Sequence, residues 1–286
     1  MARNGYRVFD SDMHVYDAHD LYEQYMNPRW GERIPVGTKR TKHGRIEFTL
    51  GSGEVVRKRS KLLEHGEDKV AERYGYALEQ AYDAPSQVVA MDKEGIDVAV
   101  MFRTSPLHCD DSFDPDYAID LCRAWNDWIM EFCGECPDRM RASGLLTLHD
   151  VDLAVDEARR AVTELGAVGL SVCPEPVNGR RIHDRYYDPL WAEIDRLSVP
   201  LCFHPPANPK QRQVSLDFYH HPNSCVIVNA LRNPIELQLA VSAFCGGGVL
   251  EKYPTLKVAF LEGNCAWLPW LLYRLDERAE LHGSLA

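Results

Sequence analysis

No run of the chain approaches the roughly eighteen consecutive apolar residues that a membrane helix needs. The opening Met-Ala-Arg-Asn-Gly-Tyr-Arg likewise has no apolar signal core. These absences point to the cytoplasm and away from a membrane. A positive surplus is missing too. The 32 basic residues stand against 43 acidic ones, a net charge of −11, and nucleic acids and anionic membranes are bound through basic faces. A cysteine framework is also lacking: nine cysteines, an odd number scattered over 286 residues, read as reduced thiols in a reducing compartment. Cys133 and Cys136 form one C-x-x-C pair without a second at zinc-finger spacing. Finally, there is no G-x-G-x-x-G or Walker sequence, which argues against a nucleotide-binding doubly wound sheet.

What is present begins with residues 7–15, a short apolar strand that ends in Asp12 and His14. Side chains at i and i+2 of a strand point the same way, so these two would project together from one strand end. A carboxylate and an imidazole so placed can chelate one divalent cation. Taken alone, the pair is equally an ordinary polar strand end.

From residue 85 a rhythm of helix and strand sets in. Amphipathic patterns over 86–94, 116–135, 152–165, 189–197, 233–244 and 266–281 alternate with short apolar runs at 97–102, 142–148, 167–172, 199–203 and 256–261. Near-continuous apolar strands between amphipathic helices are the mark of parallel βα units with both sheet faces covered. The predicted class is α/β. With the first strand there are six such units, and a polar residue ends most of their strands: His14, Arg103, His149, His204 and Glu262. A (β/α)8 barrel builds its active site at that end.

Residues 36–66 interrupt the pattern. Alternation at 45–50 and 54–56 around Gly51 and Gly53 predicts a hairpin, an excursion from a single 1–286 barrel domain and a candidate lid, or else a surface hairpin without a task. His220 and His221 fall on the connection after the 199–203 strand, where they would overhang the barrel mouth. Arg103 offers a planar fork for a substrate carboxylate, although an ordinary structural ion pair explains it nearly as well. His149 precedes a helix start and is read as a capping or loop residue.

Four motifs now carry a resemblance: Asp10-Ser-Asp-Met-His-Val15, Pro200-Leu-Cys-Phe-His-Pro205, the run from Gly246 to Glu262, and the run from Trp267 to Asp276. Together they resemble the amidohydrolase-2 group of the amidohydrolase superfamily, the group of aminocarboxymuconate-semialdehyde decarboxylase. The resemblance implies a distorted TIM barrel with one divalent metal ion, Zn2+ or Mn2+. By the same resemblance Asp12, His14, His204 and Glu262 are its ligands; residue chemistry adds the catalytic expectations, Glu262 as a proton carrier that could equally never touch the metal and Arg103 on the substrate carboxylate. An acidic residue in the strand-one place adds a hard oxygen donor, which favours manganese. The substrate is expected to be a small, carboxylated or aromatic molecule, and the reaction either nonoxidative decarboxylation or attack by a metal-bound water. The last two βα units, with the aspartate the family carries on strand eight, have no counterpart here. The expectation is therefore a fragment, or an oligomer in which a second polypeptide completes the barrel. A non-catalytic subunit of a split assembly is the alternative to an enzyme.

Overall fold

The computed structural model describes residues 5–40, 46–50, 67–105, 110–205 and 224–283. The chain divides into two compact units, Met1–Ser171 and Val172–Ala286.

Unit 1 begins with β1 (Phe9–His14) and α1 (Leu21–Tyr25). An antiparallel pair follows, β2 (Val36–Arg40) and β3 (Ile46–Thr49). Then come α2 (Glu67–Glu79), α3 (Ala84–Glu94), β4 (Val98–Phe102), α4 (Pro115–Gly134), β5 (Met140–Leu145), α5 (Val151–Thr163) and β6 (Gly169–Val172), with the unit boundary falling inside β6. β1 pairs with β4, β4 with β5 and β5 with β6, all parallel. The helix limits follow local chemistry. Asp83 caps α3 by accepting from the Ser86 N–H, and Gly95 ends it in the left-handed conformation at φ +74°. Asp150 caps α5 through the N–H groups of Asp152 and Leu153. The apolar alternation packs Trp125, Ile119 and Leu121 of α4 with Ala99 and Met101 of β4 in one buried cluster.

The expected hairpin is described only in part. The 45–50 strand is β3, but it pairs with 36–40; residues 54–56 lie outside the described residues. Phe48 of β3 is buried against Tyr22, ring centroids 5.3 Å apart. A Cβ on Gly37 would stand 2.1 Å from the His19 carbonyl oxygen, so only glycine lets β2 approach so closely. The pair is thus seated in the core of its unit.

Unit 2 holds α6 (Asp188–Leu197), β7 (Leu201–Phe203), α7 (Ser224–Gly246), α8 (Val249–Lys252), β8 (Val258–Phe260) and α9 (Leu268–His282). β7 and β8 are parallel, with Leu201 opposite Val258 and Phe203 opposite Phe260. Phe203 stacks on Phe260 at 5.5 Å and meets Phe244 edge-on at 4.7 Å. α7 is longer than the 233–244 pattern because it runs through Pro234, which as a helix breaker made the pattern begin one residue before it.

The six parallel strands match the six expected, each within three residues at either end. Among the described residues β1 pairs only with β4, and β8 only with β7. No helix among them is long and apolar enough to cross a membrane. Cys122, Cys133, Cys136, Cys202, Cys245 and Cys265 are free thiols. Cys173 is disulfide-bonded, which corrects the expectation of thiols throughout; composition and spacing carry no information about which sulfurs meet in space. Burial pushes the Cys133 thiol up to about 12, far from the thiolate that redox or zinc chemistry would need.

One buried network clamps β5 to its helices. The Asn126 side chain accepts from the Leu145 N–H at 2.6 Å and donates to the Leu145 carbonyl at 3.0 Å. It also donates to Glu157 at 2.6 Å. Glu157, at 0% exposure, further accepts from Arg160 at 2.8 Å and is 3.3 Å from Arg123. Glu157→Ala strands the amide and two cations, so it should cost about 3 kcal/mol, the lower end for a broken buried pair because both arginines reach solvent. Urea unfolding of the variant measures this. A loss below about 1 kcal/mol, the scale of a surface ion pair, would contradict the clamp.

Candidate metal centre

In unit 1 the site starts from a β-bulge. Between the pairs Asp10–Ala99 and Met13–Met101, β1 advances three residues while β4 advances two. The Asp10 carboxylate accepts from the Asp12 N–H at 3.0 Å and holds the extra residue in place. Bulges re-aim side chains, and here Asp12 and His14 offer a carboxylate oxygen and a ring nitrogen within 4.8 Å of each other. The two aspartates of Asp-Ser-Asp-Met-His thus differ: Asp10 shapes the strand, and Asp12 offers an oxygen that could serve a metal ion.

His14 Nδ1 lies 2.7 Å from the carbonyl oxygen of Arg103. A carbonyl only accepts, so Nδ1 carries the hydrogen and Nε2 of the neutral ring carries the lone pair. Arg103 itself is 2% exposed. The neighbouring backbone is tied down, since the Val15 N–H donates to the Phe102 carbonyl at 3.2 Å and the Thr104 hydroxyl donates to the Val15 carbonyl.

In unit 2, His204 follows β7 and is buried. Its N–H donates to the Val172 carbonyl at 3.1 Å. Its ring Nδ1 lies 3.0 Å from the Pro205 carbonyl, which again puts the lone pair on Nε2. His204 Nε2 stands 3.4 Å from Glu262 Oε2. A lone pair and a carboxylate oxygen facing each other at that distance call for a shared proton or a cation. A structural tie to the Pro205 turn and a donor role are therefore compatible in His204, because different ring nitrogens serve them.

The Glu262 side chain is 47% exposed, and its backbone sits at φ +63°, with Asn264 at +59°. Left-handed backbone at a non-glycine residue costs about 1 kcal/mol or more and collects at functional sites. The turn is held by its neighbours: Asn264 Oδ1 accepts from the Cys265 and Ala266 N–H groups at 2.6 and 3.1 Å, and Trp267 Nε1 donates to the Gly263 carbonyl at 2.7 Å. A Cβ on Gly263 would meet Leu237 Cδ1 at 2.2 Å and Cγ at 2.9 Å, so a side chain there would force Leu237 to shift.

The donor chemistry fits a divalent ion, with hard carboxylate oxygens beside imidazoles whose other nitrogen is committed to a carbonyl, the usual arrangement of metal-binding histidines. His149 does not belong to this set. Its Nε2 donates to the Asp110 carbonyl at 2.9 Å and its Nδ1 accepts from Thr147 Oγ1 at 2.5 Å, so it braces the segment before α4. His220 and His221 lie outside the described residues. The bulge, the two fixed tautomers and the left-handed Glu262 escaped sequence reasoning; the Asp10–Asp12 spacing and the Glu-Gly-Asn turn were the only traces of them.

Burial holds the His149 pKa below its ordinary 6.5, against the opposing hydrogen bond to Asp110 and the charges of Asp111 and Asp110. The unfolded chain therefore binds the proton first as pH falls. Stability should rise with pH between the lowered folded value and 6.5 and be fully present above it. Urea melts at pH 5.5 and 7.5 should show this gradient shrinking in His149→Gln; an unchanged gradient would remove His149 as its source.

The amidohydrolase family model matches residues 10–286. A γ-resorcylate decarboxylase of Rhodococcus jostii is 32% identical over 197 residues, which cover 66% of this chain and 58% of that protein. The chain thus spans little more than half the length of the curated relative it matches. An amidohydrolase crystal structure from Mycobacterium avium subsp. paratuberculosis superposes with a TM-score of 0.74 at 22% identity, covering 98% of this chain and 78% of that one. A dihydroxybenzoic acid decarboxylase from Polaromonas, solved with manganese and 2-nitroresorcinol, gives a TM-score of 0.55 at 20% identity, covering 88% of this chain and 64% of that one. Both structures are similar in fold. The chain belongs to the amidohydrolase-2 family of the amidohydrolase superfamily.

Proposed function

We propose that the chain carries the metal-binding machinery of a nonoxidative decarboxylase acting on a small hydroxylated aromatic acid. The observation that carries this reading is the bulged acid–histidine pair on β1, in a chain 32% identical over 197 residues to a γ-resorcylate decarboxylase. Asp12, His14, His204 and Glu262 would hold one divalent ion. Manganese is favoured over zinc by the two carboxylates, and the Polaromonas protein binds manganese. Bound there, the ion would neutralise charge on the substrate's carboxylate and an adjacent oxygen.

The chain's own residues handle the proton. Glu262, half in solvent, takes up one solvent proton and delivers it to the ring carbon as the bond to the leaving carboxylate breaks and its electron pair returns to the ring. Carbon dioxide departs, and Glu262 is left as the carboxylate it began as. Arg103, expected on the substrate carboxylate, is buried to 2%, and its task is argued below.

The eight-stranded barrel belongs to the same proposal. The edges of β1 and β8 face no described strand, and two further βα units, from a continuation of the chain or from a partner polypeptide, would close the cylinder. Light scattering and activity of the chain expressed alone test this; a folded, metal-loaded, active monomer would refute it.

The test of function is incubation of manganese-loaded protein with ortho-hydroxybenzoates in D2O. Release of carbon dioxide with deuterium at the vacated carbon is expected. Hydrolysis of esters or lactones with no carbon dioxide release would overturn the reading in favour of a metal-activated water.

A further inference from the structure

Arg103 ends β4 with its carbonyl and its side chain in different surroundings. The carbonyl accepts from His14 Nδ1 at 2.7 Å, between two flanking ties to Val15. The guanidinium is turned into the protein: Arg103 is 2% exposed, and its charge acts on the buried Tyr22 hydroxyl of α1 and the buried Cys122 thiol of α4. At Tyr22 it opposes burial and the charge of Asp17, both of which push the hydroxyl up. Asp17 is itself buried and accepts from Trp125 Nε1 at 3.2 Å. A side chain that is 2% exposed is held by its packing, and it fixes the strand end it grows from.

We infer that Arg103 is a positioning residue: its buried side chain anchors the end of β4 so that its carbonyl locks His14 in the Nδ1–H tautomer, leaving the Nε2 lone pair for the metal. The inference rests on the metal reading above and adds how the first ligand is kept competent. Losing the carbonyl would release His14 to the Nε2–H tautomer, in which Nε2 cannot donate to a cation. Partners that orient a ligating histidine are worth about 10- to 100-fold in metal affinity.

The test compares wild type, Arg103→Met, Arg103→Lys and Thr104→Val by two readouts. One is Mn2+ affinity from the EPR signal of free Mn2+. The other is the ¹⁵N spectrum of His14 in metal-free protein, assigned with His14→Gln. Arg103→Met should lose about 10- to 100-fold in affinity together with the Nδ1–H signature, and Arg103→Lys should recover part of both. Thr104→Val, which removes the tie to Val15, should shift both readouts the same way by less, and it decides the matter should Arg103→Met fail to fold. With saturating Mn2+, KM for a hydroxybenzoate should stay within about twofold of wild type. Unchanged Mn2+ affinity and tautomer in Arg103→Met and Thr104→Val, with a steep rise in KM for Arg103→Met alone, would overturn the inference and return Arg103 to the substrate. A wild-type protein that binds no Mn2+ would instead sink the metal reading itself.

Discussion

Glu262→Gln should lower turnover by about 10² or more, the lower end of what a positioned general acid or base contributes. The substitution keeps side-chain length and shape while removing the capacity to carry the proton and the negative charge offered to the ion, so turnover is compared at saturating Mn2+. Three features of Glu262 converge on that role: its oxygen lies 3.4 Å from His204 Nε2, its side chain is half in solvent, and its backbone is held left-handed by a turn that Gly263 makes possible. A merely structural carboxylate has no need of a strained mount. The variant should retain its fold, because glutamine occupies the same backbone conformation at similar cost. Steady-state rates with the hydroxybenzoate found active for wild type are the measurement; near-normal turnover would assign Glu262 to structure.

His204→Ala should abolish most metal occupancy, and activity with it. The ring is buried, and its Nδ1–H is committed to the Pro205 carbonyl, so Nε2 is held in place as a donor. Alanine removes the donor and leaves Glu262 facing a cavity, where a cation loses a ligand that the carboxylate alone does not replace. Outer partners of a ligand cost about 10- to 100-fold in affinity when removed; loss of a ligand itself should cost more. His149→Gln serves as the contrast. It also removes a buried histidine at a strand end, yet both nitrogens of His149 are engaged by Thr147 and Asp110. Metal content should survive that change. Equal metal content in wild type and His204→Ala would remove His204 from the ligand set.

The strands and most of the helices were legible because parallel βα units write themselves as apolar runs ended by one polar residue. The positions of His14, Arg103, His204 and Glu262 at strand ends followed from that pattern. What each does locally did not follow. Period-two reasoning aligned Asp12 with His14 but could not see the bulge, which depends on Asp10 bonding the Asp12 N–H. A sequence shows the Arg103 side chain and not its carbonyl, so the contact of that carbonyl with His14 was not legible in it. The pairing of 36–40 with 46–49 was not foreseen, because it is a tertiary choice that goes with the burial of Phe48 on Tyr22. The Pro234 helix shows the opposite error, in which a local breaker was overruled within a long apolar helix.

Elemental analysis of the purified protein, with parallel samples of His14→Ala and His204→Ala, tests the central claim most directly. The account predicts about one manganese or zinc ion per wild-type chain and a steep loss in both variants. Wild-type protein without a bound divalent ion after manganese loading, or three samples with equal metal content, would contradict it.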